Sequence, residues 1–133
     1  VCSSDLRAIQ GMPSDVVSDQ IGQPTSAIDL AAQIYAMIKH EVAPGIYHGT
    51  NSGSASWFDF AREVYRLCNR EESLLSPIST AEFPTPATRP QYSVLDTSMW
   101  SEQGIPEMKE WRSALKSVFP RILASAEEEL RHG

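Results

Sequence analysis

Cysteine, basic residues and long apolar runs are all scarce in this sequence, and each shortage excludes a class of protein. The two cysteines, Cys2 and Cys68, lie far apart, which excludes a disulfide framework or a zinc knuckle and indicates a reducing, cytoplasmic compartment. The 11 basic residues are outnumbered by 17 acidic ones, and the net charge of −6 argues against nucleic acid as a partner. No apolar run approaches the roughly 18 residues that span a bilayer, so we expect no membrane partner.

The chain also lacks an initiator methionine. Its first six residues, Val1 to Leu6, resemble a translated sequencing adapter, so we expect residues 1–6 to be a scar and the natural protein to continue upstream. Residues 7–126 are expected to carry the fold and the function. Residues 127–133, which begin with three glutamates, are expected to be a frayed tail.

Apolar side chains at three- and four-residue spacing predict two helices in the middle of the chain. The first begins near Ser26 and ends at Pro44, and because apolar residues occupy two of its faces we expect it to be buried on both sides. The second runs from Ser56 to about Asn69. Its first turn has the hydroxyl and the carboxylate of a capping box, with Asp59 as the acid.

A last helix is predicted after Pro106, with a kink or a restart at Pro120. The tryptophans Trp57, Trp100 and Trp111 are expected to be core anchors. Strand signals are short and scattered, at residues 16–17, 46–48, 77–79 and 93–95. Such strands cannot form a sheet alone, so they fit the edges of a sheet whose body lies elsewhere. The pattern predicts a helix-rich α/β structure.

A proline-rich loop presents a single cation. Pro84, Pro86 and Pro90 fall within seven residues and predict a stiff, extended loop over residues 83–91. Its one cation is Arg89, whose guanidinium can donate two parallel hydrogen bonds to phosphate oxygens without a large ordering cost. The alternative is a proline-rich linker with one solvated arginine.

Tyr35 and Lys39 match the Tyr-x-x-x-Lys pair of short-chain dehydrogenases, and their spacing places them on one helix face. However, no glycine-rich phosphate loop precedes them. We therefore interpret Tyr35 as a core tyrosine and Lys39 as the cation favoured at a helix C-terminus. We predict no catalytic and no cofactor-binding residue in this chain.

An ordered set of motifs resembles the dTDP-4-dehydrorhamnose reductases, which are extended short-chain dehydrogenases. The set comprises D-Q-x-G-x-P-T at 19–25, D-L-A at 29–31, G-x-Y-H at 45–48, W-x-x-F-A at 57–61, F-P-T-P-A-x-R-P at 83–90 followed by Ser93 and Leu95, and W-x-x-x-L at 111–115. Each motif is weak alone, but their shared order over roughly residues 15–120 is specific.

The resemblance implies a fold and a reaction. The chain is then the helix-rich C-terminal, substrate-binding part of a Rossmann-type extended short-chain dehydrogenase whose N-terminal dinucleotide-binding part is missing. Such enzymes reduce the 4-keto group of dTDP-4-dehydro-L-rhamnose with NADPH or NADH, giving dTDP-L-rhamnose. The expected partner is a dTDP-sugar nucleotide, and the full-length parent is expected to form a homodimer.

The resemblance also suggests site residues. Arg89 is expected to bind the diphosphate. The residues expected to line the sugar or nucleotide pocket are Gln20, Gln23 and Thr25. Some family members bind magnesium through two carboxylates, but here the corresponding places hold Ile28 and Arg121, so we expect no metal site.

Two alternatives from other classes remain open. One is a non-catalytic regulatory protein, such as the beta subunit of methionine adenosyltransferase, which resembles the same family. The other is a related nucleotide-sugar epimerase. The Arg-Pro loop favours sugar-nucleotide binding over regulation, and an upstream glycine-rich loop with a Tyr/Lys pair would indicate an enzyme.

The missing phosphate loop leads to a first prediction: the chain alone does not oxidise NADPH in the presence of dTDP-4-dehydro-L-rhamnose. NADPH absorbance measures the turnover. Wild type and Tyr35→Phe should both stay at the background rate. Turnover that disappears in Tyr35→Phe would show instead that Tyr35 and Lys39 form a catalytic pair.

Overall fold

The computed structural model describes residues 3–83 and 85–132. The predictions that fall on Val1, Cys2, Pro84 and Gly133 lie outside the described residues. The elements, in chain order, are α1 Ser3–Gln10, β1 Ser14–Val17, β2 Ile21–Gly22, α2 Ala27–Lys39, β3 Ala55–Ser56, α3 Trp57–Leu67, β4 Leu75–Ile78, α4 Ser98–Glu102 and α5 Trp111–His132. Two 3-10 turns, Glu72–Leu74 and Thr80–Glu82, flank β4. The predicted helix-rich α/β class is confirmed.

The strands form two short pairs. β1 lies parallel to β4, in a register that aligns Ser14 with Leu75 and Val17 with Ile78. A parallel pair needs a crossover connection, and the chain between these strands includes α2 and α3. β2 pairs antiparallel with β3, with Ile21 opposite Ser56. The strand signals near residues 16–17 and 77–79 are therefore confirmed.

The two other predicted strands are wrong. Residues 46–48 form no strand, because none of the described backbone pairs with them and the Ile46 side chain is exposed to solvent. Residues 93–95 also form no strand, although Tyr92 makes an isolated parallel bridge to Ile21. A sequence pattern that favours a strand produces one only where a partner strand is present to pair with it.

The core lies where α1, α3 and α5 meet the β1–β4 pair. Its buried residues include Ala8, Val64, Tyr65, Leu115 and Phe119. Ala8 is fully buried, so α1 is part of this core. The expected division of the chain at residues 6 and 126 stays a prediction.

Helix α2 is not buried on two sides, contrary to expectation. Its only buried residue is Gln33, whose side chain donates to the Pro106 carbonyl at 3.0 Å. Leu30 packs so closely on Gly49 that an added Cβ there would collide with the leucine side chain. The exposed face includes Tyr35, which is 68% exposed. Apolar periodicity shows which faces of a helix can be buried, but the described residues supply a partner for only one face of α2.

Helix α2 also ends at Lys39, earlier than the predicted end at Pro44. Glu41 has a φ of +48°, which is not a helical backbone angle.

Helix α5 runs without interruption through Pro120, so the predicted restart is wrong. Proline removes one helical hydrogen bond and crowds the preceding turn. Buried residues lie both before Pro120 (Leu115 and Phe119) and after it (Ala126). Their packing offsets the free-energy cost of the proline within the helix. None of the described helices is both long and apolar enough to cross a membrane.

We expect Tyr65→Phe to lower the free energy of unfolding by roughly 1–3 kcal/mol, since it leaves buried polar groups without a partner. The fully buried Tyr65 hydroxyl donates to the Met12 carbonyl at 2.7 Å and lies 3.0 Å from the Ser14 hydroxyl. Urea denaturation measures the change. The exposed Tyr35→Phe is the matched control and should be neutral; equal effects of both variants would contradict the assigned role of the Tyr65 hydroxyl.

Candidate functional site

A cavity of about 680 Å³ lies among the 20–26 turn, the start of α3, the 89–95 segment and α5. The four residues predicted to bind substrate all line it: Arg89, Gln20, Gln23 and Thr25. Its α5 wall is apolar and includes Leu115, Val118 and Ile122. The structure therefore brings the predicted site residues together around one largely apolar space.

Strand β2 holds the two sides of the cavity together. Ile21 pairs with Ser56 of β3, immediately before α3. On its other side, the Ile21 amide donates to the Gln91 carbonyl at 2.8 Å, and the Ser93 amide donates to the Ile21 carbonyl at 2.9 Å. The end of the proline loop is thus fixed beside the start of α3 by backbone hydrogen bonds.

Gln20 is buried and holds the base of the proline loop. Its side-chain amide donates to the Thr80 hydroxyl at 3.0 Å. The neighbouring Asp19 carboxylate accepts the Thr80 hydroxyl at 2.7 Å and the Thr80 amide at 3.0 Å. These two hydrogen bonds, the hydroxyl first, hold the pKa of Asp19 below its ordinary value. Thr80 opens the turn that leads into the loop, so Asp19 and Gln20 position that loop.

Gln23 and Thr25 also make internal hydrogen bonds. The Gln23 side-chain carbonyl accepts the Leu95 amide at 2.7 Å. The Thr25 hydroxyl donates to the Gln23 carbonyl at 2.9 Å and accepts the Asn51 amide at 3.4 Å. Both residues line the cavity, and these bonds hold them in its wall. That Gln20, Gln23 and Thr25 contact the sugar or the nucleotide stays a prediction.

Asn51 is a structural residue that the sequence patterns missed. It is fully buried, and its side-chain carbonyl accepts the Ser26 amide at 2.7 Å. Its side-chain NH₂ donates to Asp29 at 3.0 Å and to the Lys109 carbonyl at 2.9 Å. Its place in an Asn-Ser-Gly-Ser segment indicates only a loop, because the partners are distant in sequence.

The Asp29 carboxylate is engaged by this same network. It accepts a hydrogen bond from Asn51 and forms an ion pair with Lys109 at 3.0 Å. Within residues 3–83 and 85–132, no group of three or more His, Cys, Asp or Glu side chains could hold a metal ion. The expectation that the chain has no magnesium site stays a prediction.

Arg89 differs from the other lining residues. Its side chain is exposed, and it forms no hydrogen bond or ion pair with any residue of the described part of the chain. It is also the only charged residue among the described residues that line the cavity. Its guanidinium is therefore available to an anionic ligand.

The tryptophans divide into two groups. Trp100 and Trp111 are buried core anchors, as predicted. The prediction is wrong for Trp57, which is 53% exposed and lines the cavity. Trp57 is the first residue of α3, and the buried face of that helix begins one turn later, at Ala61.

Tyr35 and Lys39 lie on α2 and do not line the cavity. The interpretation of Tyr35 as a core tyrosine is wrong, because its ring is exposed. Lys39 is the last residue of α2, in the last turn where a cation was expected. The expected absence of catalytic and cofactor-binding residues stays a prediction.

Comparison with known proteins gives consistent matches. The family model described as RmlD substrate binding domain matches residues 6–123. The chain is 45% identical, over 96% of its length and 43% of the relative, to a Streptomyces antibioticus protein named "Probable dTDP-4,6-dihydroxy-2-methyloxan-3-one 4-ketoreductase". It is 40% identical, over 83% of its length and 38% of the relative, to the dTDP-4-keto-6-deoxy-D-glucose reductase of Streptomyces niveus.

A solved structure matches as well. The dTDP-4-dehydrorhamnose reductase of Bacillus anthracis, in complex with NADP, superposes with a TM-score of 0.81 and 34% identity. The superposition covers 90% of this chain and 42% of that one. The chain therefore spans less than half the length of the relatives that it matches.

The capping box at the start of α3 yields a pH prediction. Ser56 and Asp59 form it as the sequence predicted, and the Ser56 hydroxyl lies 2.7 Å from the Asp59 carboxylate, whose pKa it lowers. A lowered carboxylate pKa contributes stability above the unfolded value of about 3.9, and this contribution disappears as the pH falls through the lower folded value.

Ser56→Ala should therefore cost roughly 0.5–2 kcal/mol of unfolding free energy at neutral pH, and less once Asp59 is protonated. Urea denaturation at several pH values measures the loss of unfolding free energy at neutral pH and the loss when Asp59 is protonated. The exposed Ser54→Ala is the control and should be neutral throughout. A Ser56→Ala cost that is the same at pH 7 and well below pH 3.9 would contradict the role of the carboxylate.

Proposed function

The chain belongs to the RmlD substrate-binding domain family, and on that basis we propose that it binds the sugar nucleotide in a dTDP-4-dehydrorhamnose reductase. The reaction is the reduction of the 4-keto group of dTDP-4-dehydro-L-rhamnose to dTDP-L-rhamnose, with NADPH or NADH as reductant. The three relatives described above are named as reductases, which supports this function over the epimerase and regulatory alternatives.

The observation that carries the proposal is the unpaired Arg89 at the cavity. A diphosphate needs hydrogen-bond donors with positive charge, while the net charge of −6 repels anions from the chain as a whole. Arg89 offers forked donors, and none of its described neighbours competes for them. The backbone bonds from Ile21 fix the loop in advance, which lowers the ordering cost of binding.

The chain's own residues would bind and orient the substrate. When bound, a nicotinamide cofactor supplies the hydride, and the Bacillus anthracis relative was solved with NADP. Holding such a cofactor requires a glycine-rich turn between a strand and a helix. The described residues around β1 and β2 offer no such turn, so we assign none of them to the cofactor.

A second candidate is a 4-ketoreductase for another dTDP-6-deoxy sugar. The 45% identity to the Streptomyces antibioticus ketoreductase and the 40% identity to the Streptomyces niveus reductase favour it. Both candidates share the reaction type, the reductant and the dTDP group. They differ in the sugar, and therefore only a comparison of substrates separates them. A cytoplasmic location and a homodimeric parent also stay predictions.

A chimeric enzyme tests the reaction. This chain would replace the matching segment of the Bacillus anthracis reductase, whose backbone it resembles closely. We expect the chimera to oxidise NADPH with dTDP-4-dehydro-L-rhamnose, with a higher kcat/KM than with dTDP-4-keto-6-deoxy-D-glucose. The reverse preference would favour the second candidate. A folded chimera that is inactive with both substrates would contradict both.

In that chimera, Arg89→Ala should raise the KM of the sugar nucleotide about ten- to a hundred-fold and leave the KM of NADPH unchanged. A charge-assisted hydrogen-bonded pair contributes roughly 1.5–3 kcal/mol, and 1.4 kcal/mol corresponds to one decade. Arg89→Lys should recover only part of the loss, because an ammonium cannot donate two parallel bonds. Arg131→Ala, at the exposed end of α5, is the matched control. An unchanged KM in Arg89→Ala would remove Arg89 from the site.

A further inference from the structure

Asn51 lies behind the cavity wall: it is fully buried, and it is not one of the residues that line the cavity. Its side-chain amide nevertheless bonds to the end of the 20–26 turn and to the residue two places before α5. The turn and α5 both contribute to the wall. One side chain therefore connects two parts of the wall without contacting whatever fills the cavity.

The first connection reaches the end of the 20–26 turn. The Ser26 amide donates to the Asn51 side-chain carbonyl at 2.7 Å, and the Asn51 amide donates to the Thr25 hydroxyl at 3.4 Å. Thr25 and Ser26 both line the cavity. Ser26 is also the N-cap of α2, and its hydroxyl accepts the Asp29 amide at 3.4 Å. Asn51 therefore fixes the place where the turn ends and α2 begins.

The second connection reaches the first turn of α5. The Asn51 NH₂ group donates to the Lys109 carbonyl at 2.9 Å, and the Trp111 amide donates to the carbonyl of the neighbouring Ser52 at 3.1 Å. The Trp111 indole N–H and the Thr50 hydroxyl are buried, and neither has a hydrogen-bond partner among the described residues. Both residues line the cavity, and both flank the bonds of Asn51. Buried polar groups without partners are costly, so their placement affects what the cavity accepts.

Asp29 determines which way the Asn51 amide faces. The Asp29 carboxylate accepts the Asn51 NH₂ group at 3.0 Å and pairs with the Lys109 ammonium at 3.0 Å. An ionised carboxylate only accepts hydrogen bonds, so the NH₂ group must face Asp29 and the carbonyl must face the Ser26 amide. The two connections thus depend on one amide in one orientation.

We propose that Asn51 is a positioning residue for the sugar nucleotide, which acts on the ligand only through Thr25, Ser26 and Trp111. This inference rests on the proposed function, because it requires the sugar nucleotide to occupy the cavity. Walls that are ordered in advance do not have to be ordered by the ligand, which raises affinity. Without the amide, the end of the turn and the start of α5 can move apart, and binding has to order them.

Asn51→Asp in the chimera described above tests this role by steady-state kinetics. Aspartate keeps the shape and the acceptor for the Ser26 amide, but it cannot donate, and it places a second carboxylate against Asp29. The KM of the sugar nucleotide should rise roughly five- to a hundred-fold, the cost of ordering a few side chains on binding. The kcat and the KM of NADPH should stay within about two-fold of wild type, because the lost interaction is not specific to the transition state.

The double variant that combines Asn51→Asp with Asp29→Asn is the rescue. The new amide at position 29 donates to the new carboxylate at position 51, so the hydrogen bond returns with its direction reversed. The net charge of the wild type returns as well. We expect this variant to recover most of the rise in KM. A KM no lower than that of Asn51→Asp alone would overturn the inference.

Gln33→Leu is the matched control. Gln33 is another buried amide, whose side chain donates to the Pro106 carbonyl at 3.0 Å, but neither residue lines the cavity. The control should lower the free energy of unfolding, measured by urea denaturation, and leave the KM of both substrates unchanged. An equal rise in the KM of the sugar nucleotide in Gln33→Leu and Asn51→Asp would indicate a general loss of stability and overturn the positioning role.

The outcomes separate this inference from the proposed function. If Arg89→Ala raises the KM of the sugar nucleotide and Asn51→Asp does not, the positioning role is wrong and the proposed function stands. If kcat and both KM values change together in Asn51→Asp, the positioning role is wrong as well. A folded wild-type chimera that is inactive with both sugars overturns the inference and the proposed function together.

Circular dichroism of each variant verifies the fold. If Asn51→Asp does not fold, Asn51→Ser takes its place, since a hydroxyl can donate and accept but is too short to reach both parts of the wall. The same rise in the KM of the sugar nucleotide is then expected, and an unchanged KM in folded Asn51→Ser would overturn the inference.

Discussion

The buried amide of Asn51 is the interaction on which the arrangement of the site depends. It accepts from the Ser26 amide and donates to both Asp29 and the Lys109 carbonyl, so it joins the start of α2 to the segment before α5. An amide is required because one side of the group must accept and the other must donate. A carboxylate cannot donate, and an apolar side chain would remove the acceptor of the Ser26 amide and the donor shared by Asp29 and the Lys109 carbonyl.

The cavity follows from that junction. Beside Asn51, the Ser52 amide donates to the Lys109 carbonyl and the Trp111 amide donates to the Ser52 carbonyl, both at 3.1 Å, which brings the first turn of α5 against the loop. Gly53 is needed there: its φ is +82°, and an added Cβ would lie 3.2 Å from the Trp111 ring. Trp111 therefore has a fixed place, and so does the apolar α5 wall that lines the cavity together with Arg89.

What the sequence could predict depended on how local the cause was. The Ser56–Asp59 capping box is local and was found, and the ordered motifs identified the residues that line the cavity. The predicted burial of α2 on two sides and the predicted strand at 46–48 were wrong. A helix face is buried only against a packing partner, and a strand forms only beside another strand. Asn51 was missed because its partners lie 22 to 58 residues away. The exposure of Trp57 likewise depends on which face of α3 packs against the core.

The polar residues that line the cavity differ in whether their side chains form hydrogen bonds within the chain. Gln20, Gln23 and Thr25 bond to the chain itself, and those bonds hold the cavity wall in place before any ligand arrives. Arg89 has no such partner among the described residues, and Trp57 is 53% exposed. Walls that are held in place in this way lose little conformational entropy when a ligand fills the cavity. The D-Q-x-G-x-P-T turn therefore joins the start of α3 to the 89–95 segment through backbone hydrogen bonds of Ile21, and this fixes the part of the cavity where Arg89 lies.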